Sequence, residues 1–258
     1  MQNNTFSTLF VGQNLIKLKE VDSTNNFLKN LVSKSEPLPE GTVIMADNQF
    51  AGRGQQESVW QTEAGKNIST SIYLKPNFLP LNKQFYLNMA VSLAVSEALN
   101  HILPQPVLVK WPNDIYTGGK KLGGILIENT LTGSFIKSSV IGIGLNINQQ
   151  TFKSDLTNKA TSVIQILQKE TPLAAVMEKI VVFMEKYYLI LKSGNYIILQ
   201  KEYFKRLYNF GTLAHYQQNG QVFEGKITGV EESGRLVMET EAGLKSFNFK
   251  EIEFTHTK

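Results

Sequence analysis

The middle of the chain constrains the fold most, because one long helix-like segment is followed there by three apolar, strand-like runs. Over residues 84–102 apolar side chains recur at helical spacing on a broad face, which predicts a helix packed in the core. The strand-like runs are VLVKW, KLGGILIE and FIKSSVIGIGLNI, and the turn sequence LTGS joins the last two. The pattern therefore predicts a largely buried sheet together with a central helix.

The segments before and after this core add further strands and helices. Strand-like runs occur at LIKL, at TVIMA and, with alternating polarity, at NISTSIYL. A helix is predicted over residues 23–33, where Asp22 or Ser23 caps the N-terminus. Two or three more helices are predicted from about residue 161 to residue 208. These elements favour an α/β fold for residues 1–208.

The last part of the chain changes character, and a domain boundary is predicted near residues 208–211. Short β-rich runs are separated there by the turn pairs Asn219-Gly220, Ser233-Gly234 and Ala242-Gly243. This spacing predicts a small antiparallel barrel over residues 209–258.

Composition excludes several classes of protein. The chain of 258 residues has 26 Lys+Arg against 22 Asp+Glu, a net charge of +4 and no Cys. Without Cys there is no disulfide scaffold and no thiol nucleophile, and we expect a cytoplasmic protein. No membrane segment is expected, because 18 consecutive apolar residues occur nowhere and no secretory signal opens the chain. The mild, evenly spread charge does not predict nucleic-acid binding.

A polar stretch over residues 47–66 is unusually long for a loop, and such loops are often functional. Within it, the segment AGRG places Arg53, one of three arginines, between Gly52 and Gly54. The glycines let the backbone approach a ligand closely and the guanidinium offers a charged fork, which is typical of an anion-binding loop or lid. A turn without function is the alternative for these residues taken alone.

Two further segments place charged residues beside turns or glycines. KWPNDIY brings Lys110 from an apolar strand to a turn with Asp114, and an unpaired ammonium there favours an anionic partner. KLGGILIE begins with Lys121, and Gly123 and Gly124 inside a strand indicate close approach by a ligand or by another backbone. Ordinary turn chemistry, a β-bulge and solvated lysines are the alternatives for each segment alone.

The other candidate motifs are weak. His101, His215 and His256 are far apart in sequence and have no metal-ligand spacing, and IGIGLN holds only part of a dinucleotide-binding fingerprint. The remaining candidates are the cationic side chains of Arg53, Lys110 and Lys121 together with the carboxylate of Asp114. Such a set suits an anionic substrate, especially a phosphate with Mg²⁺.

Taken in order, these segments resemble the biotin–protein ligase family. They are EVDSTN at 20–25, AGRG at 51–54, Trp60, KWPNDIY at 110–116, KLGGILIE at 121–128 and IGIGLNIN at 141–148. The resemblance implies a class II synthetase-like α/β (α+β) fold, with a mixed, mostly antiparallel sheet backed by helices and a C-terminal SH3-like β-barrel. It also implies an ATP-dependent ligase that forms biotinyl-5′-AMP with Mg²⁺. The biotin then passes to a lysine of a biotin carboxyl carrier protein or domain of a carboxylase.

The same resemblance implies roles for individual residues. Catalytic roles fall to Lys121, Arg53, Lys110 and Asp114, the last also supporting Mg²⁺. Biotin would be bound by Ser23, Thr24, Asn25, Gln49, Gly52, Arg53, Lys121, Gly123 and Gly124. ATP would be bound by Arg53, Gly54, Gln55, Trp60, Lys110, Asn113, Lys121 and Asn146.

Two departures from the family pattern lead to further expectations. Many members have a second loop arginine where this chain has Gln55, and Gln cannot hold a phosphate by charge, so we expect weaker retention of the adenylate. About 20 residues precede VDSTN, so we expect no N-terminal helix-turn-helix domain and no specific DNA binding. Homodimerisation through a sheet edge is also implied by the family.

Two other functions stay open on the sequence alone. Lipoate or octanoate ligases share the fold, but those acids lack a ureido ring, so a pocket with Ser23, Thr24 and Gln49 favours biotin. A non-catalytic nucleic-acid-binding module would use the terminal β domain and would not need Lys121 or Arg53. The mild net charge argues against that module.

Overall fold

The computed structural model describes residues 6–34, 37–55, 58–153 and 156–255. The first seven strands are β1 (Leu15–Val21), β2 (Val43–Gln49), β3 (Ile68–Leu74), β4 (Val107–Lys110), β5 (Asp114–Thr117), β6 (Lys120–Thr132) and β7 (Phe135–Leu145). The helices are α1 (Thr24–Val32), α2 (Phe85–Asn100), α3 (Val163–Leu167), α4 (Leu173–Lys192) and α5 (Tyr196–Arg206). The chain continues with β8 (Leu213–Gln218), β9 (Gln221–Val230), β10 (Leu236–Thr240), β11 (Gly243–Phe247) and β12 (Glu253–Phe254).

The first seven strands form one sheet in the order β1-β2-β3-β7-β6-β5-β4. Strands β1 and β2 run parallel, and the other neighbouring pairs are antiparallel. The turn between β6 and β7 has Gly133 at φ +55°, as the LTGS signal predicts. The expected mixed, mostly antiparallel sheet is thus confirmed.

The sequence pattern missed one strand of this sheet, β5. Lys110 of β4 lies opposite Asp114 of β5, so KWPND is a tight hairpin with Pro112 at its turn. A strand of four residues is too short to display the two-residue alternation that identifies a strand in sequence.

Strand β3 is buried along its whole length, although polar and apolar residues alternate along it. Both faces are covered: Ile72 belongs to the main core, and Tyr73 packs with Leu28 of α1. Two polar side chains of β3 bond within the protein: the Thr70 hydroxyl donates to the Ile44 carbonyl, and the Ser71 hydroxyl bonds to Thr24 at the start of α1. The polar side of β3 therefore faces protein rather than solvent.

Helix α2 lies at the centre of the core, as its broad apolar face predicts. It packs against α4, α5 and β4. The helices predicted from about residue 161 to residue 208 are present as α3, α4 and α5. In the described part of the chain, no helix combines the length and the apolar character needed to cross a membrane.

The last five strands form a second sheet, in the order β11-β10-β9-β8-β12, with antiparallel pairing throughout. This C-terminal β domain contacts the β4–β5 hairpin, because the Trp111 indole donates to the Gly234 carbonyl at 2.9 Å. Gly234 has φ +96°, and a Cβ there would lie 2.7 Å from Phe85, so the contact requires glycine. The Phe249 ring adds a second contact, 5.3 Å from the Trp111 ring.

Candidate active site

A cavity of about 250 Å³ lies where the start of α1, the loop after β2 and strands β5, β6 and β7 meet. Most of the residues predicted from the sequence line it, namely Ser23, Thr24, Asn25, Gln49, Arg53, Gly54, Gln55, Trp60, Asn113, Asp114, Lys121 and Gly124. The fold therefore brings together motifs that are far apart along the chain.

Neutral hydrogen-bonding groups form one part of the cavity wall. The side-chain oxygen of Gln49 accepts from the Thr24 backbone N–H at 2.8 Å and from the Thr24 hydroxyl at 3.1 Å. The Ser71 hydroxyl lies 2.7 Å from Thr24 Oγ1 and 2.6 Å from Asn25 Oδ1. Ser23 is the N-cap of α1, yet its side chain makes no capping hydrogen bond with that helix. This wall suits a neutral polar group with both donors and acceptors.

Two glycines of β7 make room for side chains that cross the sheet surface. A Cβ at Gly142 would lie 2.6 Å from Asn25 Oδ1, and a Cβ at Gly144 would lie 2.5 Å from the Trp60 indole. The glycines of IGIGLN thus support these two side chains, which is a different use from a dinucleotide-binding turn. The buried Trp60 indole nitrogen has no hydrogen-bond partner within the described ranges.

Charged groups form a second part of the wall. Lys121 Nζ lies 2.6 Å from Asp114 Oδ1, and their side chains are 36% and 24% exposed. The ammonium also lies 6.0 Å from the centre of the Trp60 ring. The Asn113 side chain donates to the Ile125 carbonyl at 2.8 Å, which holds the β4–β5 hairpin against β6. A half-buried ammonium fixed in this way offers an anchored positive charge to a ligand.

Arg53 lies at the rim of the cavity and contacts protein groups there. Its Nη2 donates to Asn26 Oδ1 at 2.7 Å and lies 3.2 Å from both carboxylate oxygens of Glu128. The expectation that Arg53 screens phosphate therefore stays a prediction. In the structure the guanidinium is ion-paired with Glu128.

The loop that carries Arg53 folds back on itself. The Gly54 N–H donates to the Ser58 carbonyl at 2.6 Å, and the Trp60 N–H donates to the Gly52 carbonyl at 2.9 Å. A Cβ at Gly52 would lie 2.3 Å from the Trp60 carbonyl oxygen, so this glycine permits the close approach of the two loop arms. Residues 56 and 57 of the predicted loop lie outside the described ranges, as does His256.

Lys110, to which the resemblance gave a catalytic role, is not among the lining residues. Its ammonium donates to the Tyr116 hydroxyl at 3.1 Å and lies 4.6 Å and 4.9 Å from the centres of the Tyr116 and Phe254 rings. Burial lowers the pKa of Lys110, although the charge of Asp114 opposes that shift. The aromatic partners explain how an ammonium at the end of an apolar strand is accommodated.

Gly52, Gly123 and Asn146 also lie outside the cavity lining. A Cβ at Gly123 would lie 2.4 Å from the Gly144 carbonyl oxygen, so the close neighbour of this glycine is the backbone of β7. The Asn146 side chain donates to the Thr161 carbonyl at 3.1 Å and links two chain segments. Ligand contacts for these three residues stay predictions.

Other residues line the cavity without having been predicted. They are Ser58, Val59, Thr70, Pro112, Ile125, Leu126, Gly142, Ile143, Gly144, Phe249 and Lys250. The paired glycines of IGIGLN were a usable signal for Gly142 and Gly144. Phe249 and Lys250 had none, because they come from the loop between β11 and β12 and reach the cavity only through docking of the C-terminal β domain.

Together, the sheet and its cavity define an α/β domain whose cavity has neutral hydrogen-bonding groups in one part of its wall and an anchored cation in another. Residues 18–146 match the family model described as Biotin/lipoate A/B protein ligase family, and residues 216–254 match the Biotin protein ligase C terminal domain. The chain belongs to the biotin/lipoate A/B protein ligase family.

Several relatives cover almost the whole chain. The bifunctional ligase/repressor BirA of Bacillus subtilis is 32% identical over 95% of this chain and 75% of its own length. The biotin–[acetyl-CoA-carboxylase] ligase of Paracoccus denitrificans is 25% identical over 92% of this chain and 99% of its own. The structure of biotin protein ligase from Aquifex aeolicus in complex with biotin and ATP has a TM-score of 0.79 and 28% identity, covering 95% of this chain and 99% of that one. The expected fold class, including a C-terminal β domain, is confirmed by this likeness.

Proposed function

We propose that this protein is a biotin–protein ligase. In the first step a biotin carboxylate oxygen bonds to the α-phosphorus of ATP, the bond to the β-phosphate breaks, and biotinyl-5′-AMP and pyrophosphate form. In the second step a lysine amine of a carrier protein bonds to the acyl carbon, and AMP leaves. The observation that carries this proposal is the similarity over nearly the whole chain to the Aquifex aeolicus ligase in complex with biotin and ATP.

The neutral wall of the cavity supports biotin as the acid. The cyclic urea of biotin has one carbonyl acceptor and two N–H donors, so it needs neutral partners of both kinds. Thr24, Asn25 and Gln49 provide a hydroxyl and two amides within one group hydrogen-bonded through Ser71, and Ser23 adds a hydroxyl to the cavity lining. Lipoate and octanoate have no polar head to satisfy these groups, and buried polar groups left without partners reduce affinity.

The charged wall supports the adenylation step. A carboxylate and a polyphosphate repel each other, so cations placed in advance must offset that repulsion before the two can react. Lys121 lines the cavity and supplies one such positive charge, and Arg53 supplies another at the rim. Trp60 offers an apolar surface for the adenine ring. Gln55 also lines the cavity, where a second arginine is common in the family, and weaker retention of biotinyl-AMP stays a prediction.

Mg²⁺ belongs to the same proposal. The described residues contain no group of three or more His, Asp or Glu side chains that could hold a metal ion. A magnesium ion commonly takes one or two carboxylates and receives its other ligands from substrate phosphates and water, and Asp114 supplies one carboxylate in the cavity. The residues therefore fit an ion that arrives with the nucleotide, and when bound it would neutralise phosphate charge.

Partners, location and domain limits complete the proposal. The carrier is a biotin carboxyl carrier protein or domain of a biotin-dependent carboxylase, and the Cys-free composition supports a cytoplasmic location. Strand β1 lies at one edge of the larger sheet, which supports a homodimer formed through that edge. The absence of specific DNA binding stays a prediction. The domains comprise residues 1–208 and 209–258, which is compatible with the end of α5 at Arg206 and the start of β8 at Leu213.

Pyrophosphate release from ATP and Mg²⁺ tests the function directly. We expect release with biotin at low concentration and little release with lipoate, octanoate or no acid. A preference for lipoate or octanoate would keep the chemistry and change the substrate. No release with any of the acids would refute a ligase and favour the non-catalytic binding module. The second step is measured by transfer of biotin to a purified carrier domain.

Gly144→Ala tests whether the position of the Trp60 ring affects nucleotide binding. The added methyl would lie 2.5 Å from the indole, so the ring must move, and we expect a loss of about 1–3 kcal/mol in the free energy of unfolding. Affinity for ATP in the presence of biotin should fall with it, as measured by calorimetry. Gly229→Ala is the matched control, because a Cβ on that strand glycine meets only Phe204, at 4.0 Å. Equal ATP affinity in the two variants would show that the position of Trp60 does not affect the nucleotide.

A further inference from the structure

Glu128 is a half-buried carboxylate of β6 on which three charged or polar side chains converge. Lys29 Nζ of α1 lies 2.7 Å from its Oε1, and the Asn25 side chain donates to its Oε2 at 2.8 Å. Arg53 Nη2 lies 3.2 Å from both oxygens. Glu128 does not line the cavity, but two of its three partners, Asn25 and Arg53, do.

The surroundings of Glu128 keep it ionised. Burial alone would raise its pKa, but hydrogen bonds from Lys29 and Asn25 and the charges of Lys29 and Arg53 outweigh that effect and lower the pKa below its usual value. The carboxylate is therefore negative at neutral pH. A charge-assisted contact with Arg53 is available whenever the loop is in the observed position.

Arg53 uses only part of its donor set in these contacts. The guanidinium has five N–H donors, and within the described ranges only Nη2 is engaged, with Glu128 and Asn26. Asn26 is itself held in place, because its amide donates to Asp22 at 2.8 Å. Within the described ranges, the arginine is thus anchored to the protein through Nη2.

The anchored arginine also fixes the loop to the body of the protein. Arg53 forms a β-bridge with Val59, and the Gly54 N–H donates to the Ser58 carbonyl, so the two described arms of the loop are joined beside the guanidinium. The contacts of Arg53 with Asn26 and Glu128 join these arms to α1 and β6. The contact joins the loop to Asn25, a wall residue that is in turn bonded to Ser71.

We infer that Glu128 is a positioning residue for Arg53: it holds the guanidinium and the adjoining loop residues 52–55 at the cavity rim, and so slows the escape of the acyl-adenylate. The inference rests on the proposed function. Glu128 touches no substrate and acts through the arginine. Because Arg53 and Glu128 are both partly solvent-exposed, the effect of the contact is moderate rather than decisive.

The test measures the rate at which preformed, labelled biotinyl-AMP leaves the protein during a chase with unlabelled biotin. Glu128→Gln keeps the shape of the side chain and an acceptor for Asn25 but removes the charge. We expect roughly fivefold faster release in this variant, with unchanged affinity for biotin alone. Glu128→Asp keeps the charge but withdraws the carboxylate, and a smaller acceleration is expected.

Two comparisons separate positioning from a general structural role. Lys29→Gln removes the other cation on the same carboxylate without touching the loop, and release should stay at the wild-type rate. In the Arg53→Gly background, Glu128→Gln should have no further effect on release, because the guanidinium through which Glu128 acts is absent. Wild-type release in Glu128→Gln, equal acceleration in Lys29→Gln, or an undiminished effect without Arg53 would each overturn the inference.

The wild-type protein distinguishes this failure from failure of the proposed function. If wild-type protein forms and holds biotinyl-AMP but the Glu128 variants release it at the wild-type rate, only the positioning role of Glu128 is refuted. If wild-type protein forms no adenylate from biotin and ATP, the proposed function itself is wrong and the inference falls with it.

Discussion

Lys121→Ala is expected to slow pyrophosphate release with biotin by about 100- to 1,000-fold, the usual loss when one fixed charge-stabilising donor is removed from a reaction centre. Lys121 is the ammonium that lines the cavity beside Asp114, 2.6 Å away. Without it, the carboxylate of Asp114 stays in the cavity unpaired and adds to the repulsion between biotin and ATP. The measurement is single-turnover pyrophosphate release at saturating substrates.

The fold should survive this substitution, because the Lys121 side chain is 36% exposed and contributes little packing. Lys120→Ala is the matched control. It changes the neighbouring lysine of β6, whose side chain is not among those that line the cavity, and neighbouring strand residues point to opposite faces. Lys121→Arg tests whether charge alone is enough. Near-normal release in Lys121→Ala would overturn the role proposed for this lysine.

Arg53→Gly is expected to accelerate the loss of biotinyl-AMP by roughly 10-fold or more, since a hydrogen bond to a charged group contributes about 1.5–3 kcal/mol. The substitution removes the guanidinium that ties the loop to Glu128 and Asn26. It also makes the backbone of the loop more flexible, which adds an entropic cost to closure. The chase measurement of adenylate release reports the sum of both effects.

Arg53→Ala separates the two contributions, because it removes the charge and adds less backbone freedom than glycine. Arg235→Ala is the control for loss of an ion-paired arginine elsewhere, since Arg235 pairs with Glu231 in the C-terminal β domain. Release from Arg235→Ala should match the wild-type rate. Adenylate that stays bound equally long in Arg53→Gly would show that the loop does not limit its escape.

The loop, the hairpin and the KLGG strand could be selected as site segments from their residues alone. Each combines glycine or proline with a charged side chain, and in the hairpin that charge ends an apolar strand, where an ammonium without a partner is costly. Lys121 and Asp114 both line the cavity, and their catalytic roles stay predictions. Lys110 belongs to the same hairpin, yet its ammonium rests on Tyr116 and Phe254. The direction of a strand-end side chain was decided by aromatic neighbours, one of them from the C-terminal β domain.

Local patterns in the sequence were enough to predict most helices and strands, the mixed sheet and the motifs that meet at the cavity. Periodicity, capping and turn chemistry act between residues a few positions apart, so they are readable without the fold. Only the tertiary structure decided which distant residues touch: Gly144 beneath Trp60, Glu128 against Arg53, and Lys250 at the cavity. These contacts depend on strand register and on docking of the C-terminal β domain. Both are set by the packing of the whole core, which no short stretch of sequence encodes.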